Sequence, residues 1–152
     1  MVALLRLPND EPFATGSADC WLGPADEYDR STRILIEVRI GSVRTTAIVD
    51  TAAPFPICAP AIARLIPASD LERIEPFKLL TQFGGFEGAL YRMPITFLAT
   101  NGDDLEVDAT VFIPDSAKDW PNRPFYIGLT GCLERMRFAL APATNLIYFG
   151  PD

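Results

Sequence analysis

The sequence predicts an all-β, barrel-like domain, and three observations carry that prediction. In "RILIEVRI" Ile34, Ile36, Val38 and Ile40 interleave with Arg33, Leu35, Glu37 and Arg39, the period-2 pattern of a strand. Two-residue turn signals, Gly41-Ser42 and Asn101-Gly102, separate such runs. The 14 prolines are scattered, which punctuates short elements and disfavours a helical bundle. With 152 residues, 49% of them hydrophobic and 22% charged, the composition is that of one globular domain with a sizeable core.

Taken in order, residues 1–30 lack a clear period and are rich in Pro, Asp and Gly. They read as an N-terminal arm packed on the domain, with one edge strand at residues 4–7 and Trp21 as an anchor. Residues 31–152 form the domain itself. "RILIEVRI" and "VRTTAIV" are paired strands across a type II′ turn at Gly41-Ser42, and the second ends at Asp50. Pro54 and Pro56 break the chain around a short strand at "ICAP". Pro60 opens a helix over "AIARLI", which Pro67 stops. "FKLLTQF" and "ALYRMPITFLA" are strands joined by a Gly84-Gly85 turn, with Pro94 near an edge or bulge. Asn101-Gly102 turns the chain into "LEVDATVFI". "PDSAKDWPNRP" is a surface loop anchored by Trp120, and "FYIGL" is a short apolar strand. "CLERMRFAL" shows helical spacing at Cys132, Leu133 and Met136, and "NLIYFG" closes the chain as a strand.

Charge and composition narrow the chemistry. A net charge of −7 repels phosphate backbones, which disfavours nucleic acid as a partner. No basic amphipathic segment points to a membrane surface, and the apolar run in "MVALLRLPND" is too short for a signal peptide. The expected location is cytoplasmic. Cys20, Cys58 and Cys132 are odd in number and show neither a disulfide framework nor zinc spacing. There is no histidine, which removes Ser-His and Cys-His nucleophile systems and histidine metal sites. Hydrolytic chemistry would then rest on carboxylates, lysine or the substrate itself. The acids Asp103, Asp104, Glu106 and Asp108 lack the calcium-loop pattern and read as the solvent face of a hairpin. "FGGFEG" is followed by no Gly-Lys-Ser/Thr and no helix, so it is not a phosphate loop.

One stretch breaks the pattern of buried strands. In "AIVDTAAPFPIC" an apolar run ends in Asp50, and a lone buried carboxylate there is expensive without a partner. The partner can be a cation, a hydrogen-bond network, a metal, or a second carboxylate sharing a proton.

"IVDTAA", then "LLTQFGGFEGALYRMPI", then "YIGLTGCLERMRFAL" occur in that order. Together they resemble the Asp-Thr-Gly catalytic loop, the glycine-tipped flap hairpin, and the apolar-apolar-Gly strand with its following helix in the retropepsin-like aspartic proteases, including their bacterial relatives. The resemblance covers roughly residues 33–150. It implies a closed or partly open barrel with a flap and one C-terminal helix. It also implies a homodimer, because one chain carries one Asp-Thr motif. Asp50 of each subunit would meet its mate on the two-fold axis and share one proton. Thr51 would brace the pair from across the interface, Ala52 would accept a hydrogen bond from a peptide substrate, and small Ala53 would allow another segment close. Gly84, Gly85 and Phe86 would close over the substrate. No metal or organic cofactor is implied.

The match departs at Ala52, where the family has glycine. A positive φ there would cost on the order of 1–2 kcal/mol, whereas a negative φ would accommodate the methyl. Two further readings stay open: a catalytically silent module of this fold that dimerises or binds peptide strands, and a monomeric β-barrel binding domain in which Asp50 only caps a turn.

Overall fold

Two antiparallel strands, β5 (Arg33–Ile40) and β6 (Val43–Val49), form the centre of the fold. Gly41 between them has φ +59, the positive value that the first position of a type II′ turn requires. This is a computed structural model describing residues 3–27, 29–81, 84–118, 120 and 123–152.

The main sheet has seven strands. Its path runs β10 (Leu105–Pro114), β8 (Gly84–Phe97), β5, β6, β11 (Phe125–Ile127), with β4 (Trp21–Gly23) added to β5 and β7 (Glu72–Thr81) to β8. All pairs are antiparallel except β11 with β6, which is parallel. A second sheet has the order β12 (Met136–Ala141), β13 (Leu146–Pro151), β3 (Gly16–Asp19), β9 (Asn101–Gly102), and β1 (Leu5–Arg6) pairs β2 (Pro12–Ala14). The expected all-β class is observed, but the barrel does not close. Among the described residues β10 and β11, the ends of the main path, are joined through Ile57, which bridges Phe112 on one side and Tyr126 on the other. One residue makes a bridge where closure needs a ladder.

Helix α1 (Pro60–Ala63) begins with its proline in the first turn, as expected, and is a single turn long. The expected C-terminal helix is absent. Leu133–Arg135 makes one 3-10 turn, and Met136 starts β12, which pairs along its length with β13. The residues that suggested a helix, Cys132, Leu133 and Met136, are all buried, so their spacing reports core contacts of a turn. Met136, Phe138 and Leu140 also recur at every second position, and that strand period is the one the fold uses.

The first thirty residues are more ordered than their composition suggested. β3 lies in the second sheet between β13 and β9, and β4 extends the main sheet. Trp21 remains 43% exposed, so backbone pairing rather than the indole fastens this segment. Asn101-Gly102 is not a tight hairpin. It pairs with β3, and the whole of residues 98–104 connects β8 to β10. Pro94 falls where β8 changes partner, after pairing with β7 ends at Arg92 and before pairing with β5 begins at Thr96. Its missing N–H therefore costs no ladder bond on that edge.

Two apolar clusters fill the fold. The larger includes Ile36, Val38, Ile95, Phe97, Val111, Ile127 and Phe149, together with all three cysteines. The smaller, around Phe112, Leu79, Leu90 and Trp120, lies under the β7–β8 hairpin. Burial pushes the Cys58 thiol up to about 12 from 9.0; it does the same to Cys132, with Arg135 opposing. The folded chain thus keeps two protons that the unfolded chain releases, so stability is full below pH 9.0 and falls as pH rises toward about 12. Denaturant midpoints at about pH 8 and about pH 10.5 should show this loss, and Cys58→Ala should reduce the difference between them.

Candidate active site

Asp50 immediately follows β6, where the strand leaves the sheet between β5 and β11. Its backbone N–H continues the parallel ladder, donating to Ile127 O at 3.0 Å. The chain then turns. The Ala52 N–H donates to Asp50 Oδ1 at 3.0 Å, and the Ala53 N–H donates to Asp50 O at 3.1 Å. The carboxylate is half-buried, and Oδ1 makes its one hydrogen bond among the described residues. The second oxygen is left for another partner.

Of the residues expected around it, Thr51 and Ala52 are exposed beside Asp50, while Ala53 is buried. Ala53 is where another segment does come close: its carbonyl accepts the Leu129 N–H at 3.0 Å, and Pro54 O accepts the Thr130 N–H at 2.7 Å. Gly128 lets this happen, because a Cβ there would collide with the backbone of Phe55. Ala52 is not among the positive-φ residues, which outside glycine are Asp10 and Asn145 in the described chain. Its methyl sits on the surface without backbone strain. Ala52→Gly should therefore give no relief and should lower stability by about 0.4–1 kcal/mol through the greater freedom of the unfolded chain. Urea unfolding of the two proteins checks this.

Gly84, Gly85 and Phe86 lie on β8, some distance along the chain from Asp50. The glycines were expected to form the turn, but Gly84 pairs with Thr81 and Gly85 with Leu80. Gln82 and Phe83, at the end of the expected "FKLLTQF" strand, lie outside the described residues. Both glycines are exposed, Gly84 with φ +120. Phe86 turns inward, and its ring meets Trp120 edge-on at 5.0 Å. Trp120 is buried, as a loop anchor should be; Asp119, Pro121 and Asn122 of the same loop lie outside the described residues.

Arg33 is a neighbour that motif reading missed. The β5–β6 ladder ends with Ile34 opposite Val49, which brings Arg33 across from Asp50. Its Nε donates to Asp29 Oδ2 at 3.0 Å. That bond, with further attraction from Asp29, Asp50 and Tyr126, holds the guanidinium pKa above its ordinary value against the cost of partial burial. Asp29 is held below the usual carboxylate range, because Arg33 and the Ser31 N–H outweigh the burial that pushes the other way. Tyr126, on β11, is raised by burial, with Asp29 and Asp26 adding to the rise and Arg123 opposing it. The acids of residues 103–108 lie on the exposed side of the β8–β10 connection and β10, and Asp108 pairs with Arg92. Among the described residues no group of His, Cys, Asp and Glu is arranged to hold a metal, and no helix is long and apolar enough to cross a membrane.

No family model and no curated protein matches the chain by sequence. Its fold does have a counterpart among solved structures. A retropepsin-like aspartic protease from Rickettsia conorii superposes with a TM-score of 0.51 and 15% identity, over 88% of this chain and 98% of that one. At that identity the likeness is one of fold: the strands that carry Asp50 belong to an architecture that a retropepsin-like aspartic protease also has.

Proposed function

We propose that the chain is an aspartic endopeptidase that works as a homodimer on extended peptides. One observation carries the reading: a half-exposed carboxylate at a strand end, fixed through one oxygen, in a chain with the fold of a retropepsin-like aspartic protease. Each subunit supplies one Asp50. Two carboxylates about 3 Å apart hold one proton between them, since like charges that close do not both ionise. The ionised oxygen takes a proton from a bound water as the water attacks the peptide carbonyl. The protonated partner donates a hydrogen bond to the carbonyl oxygen as negative charge develops there. Thr51, exposed next to the pair, faces the partner subunit and holds the loops together. The Ala52 carbonyl and the β7–β8 hairpin bind the substrate as an added strand, and the hairpin shuts out water over it.

A second reading, a catalytically silent peptide-binding module, draws on Ala52 in the place of the motif glycine and on Asp50 already serving as a turn acceptor. Incubation with a peptide library between about pH 3.5 and pH 7 separates the two, because a shared-proton pair is half-protonated within that range. The endopeptidase reading expects defined cuts. A folded, dimeric protein that leaves every peptide intact would favour the silent module.

A further inference from the structure

The β7–β8 hairpin is linked to the neighbourhood of Asp50 by a short row of side chains. Phe86 of β8 meets Trp120 at 5.0 Å, and Trp120 meets Tyr126 of β11 edge-on at 6.1 Å. Tyr126 and Asp50 both lie within electrostatic reach of Arg33. Phe86 and Tyr126 are partly exposed over the buried Trp120, so the row makes a wall between the hairpin and β11.

The wall carries a cation. The Arg123 guanidinium sits 5.3 Å from the centre of the Trp120 ring and beside the Tyr126 hydroxyl. Arg123 is exposed and forms no salt bridge among the described residues, whereas Arg33 is committed to Asp29 and Arg92 to Asp108. The acids nearest to Tyr126 are engaged: Asp29 binds Arg33, and Asp26 Oδ1 accepts the Asp29 N–H at 2.7 Å. Trp120 Nε1 is buried with no acceptor among the described residues. Among the described residues the row therefore carries one exposed positive charge, that of Arg123, with no acidic partner. A guanidinium stacked on an indole is already ordered, so it loses little freedom when a carboxylate takes its two parallel N–H groups.

We propose that Arg123, braced on Trp120, is a specificity-determining residue that binds an acidic side chain of the peptide, so that the substrates are peptides with Glu or Asp near the cut. This rests on the endopeptidase reading above. It is tested with labelled peptide pairs that differ only by Glu or Gln at each position flanking a cut. The wild type should favour Glu at one position by roughly tenfold in kcat/KM, and the preference should shrink with added salt. In Arg123→Gln the ratio should collapse toward one, and in Arg123→Glu a Lys peptide should become favoured over its Glu counterpart. A wild type that cleaves without preferring Glu, or a preference that survives in Arg123→Gln, would overturn the assignment. Should no peptide be cut, the endopeptidase reading fails by itself. Fluorescence anisotropy of the same pairs then decides Arg123: tighter binding of Glu peptides that is lost in Arg123→Gln upholds its role, and equal binding ends it.

Discussion

Asp50→Asn is expected to leave a folded protein that no longer cleaves peptides. Asparagine keeps the shape of aspartate and keeps an oxygen to accept the Ala52 N–H, so the turn after β6 is preserved. What it removes, in the proposed mechanism, is the group that takes a proton from water and passes one on. General acid–base catalysis contributes roughly 10²–10⁴-fold, so the cleavage rate should fall by at least that range. Stability should stay within about 0.5 kcal/mol of the wild type, as for substitutions that break no packing or buried network. The comparison is made at equal protein concentration, with rates and denaturant midpoints measured together. Equal cleavage by both proteins would trace the activity to a contaminant or to another site, and the Asp50 mechanism would be abandoned.

Phe112→Ala should have the largest effect on stability, a loss of about 3–5 kcal/mol. Phe112 is fully buried at the heart of the smaller cluster, where its ring meets that of Phe77 at 6.1 Å. Gly88 on the neighbouring strand β8 has no side chain, and even a Cβ there would collide with the Phe112 ring. The neighbours are therefore fitted to this ring, and little can move in to fill its place. Its backbone holds the chain that leaves the Asp50 loop: the Phe112 N–H donates to Pro56 O at 2.8 Å, and Phe112 O accepts the Cys58 N–H at 2.9 Å. Urea unfolding reads the loss. A cost below about 1 kcal/mol would mean that the hairpin collapses freely onto the vacancy, contrary to the packing described.

The strands around Asp50 were legible because each carries its own signal. Alternation in residues 33–40 and a glycine suited to positive φ at position 41 are local properties, and the hairpin follows from them. The same hairpin held more than was read from it. Pairing across Gly41-Ser42 continues residue by residue to Ile34 and Val49, and the next step of that register sets Arg33 across from Asp50, so the cation was within reach of arithmetic on the sequence. The C-terminal error came from a pattern with two periods, in which buried positions of a turn imitated a helix face. β3, with the sequence GSAD, gave no signal because its strand conformation is imposed by partners far along the chain. The meeting of Phe86, Trp120, Arg123 and Tyr126 is equally a product of tertiary structure. Only the positions that turned out to be engaged by neighbouring strands, not the residue types alone, distinguish them from ordinary loop and core side chains.

β13 is paired on both sides within its own chain, with β12 along one edge and β3 along the other. Ser17 faces Tyr148, a partner far along the chain. During synthesis β3 emerges well before β13 and waits for it while the intervening residues are made. Loop closure over that span is entropically slow, and the pairing is rewarded only once the rest of the core has drawn the two ends together. Zipping of this sheet should thus be a late step in refolding, and a nascent chain stalled before residue 146 should remain open to proteases around β3.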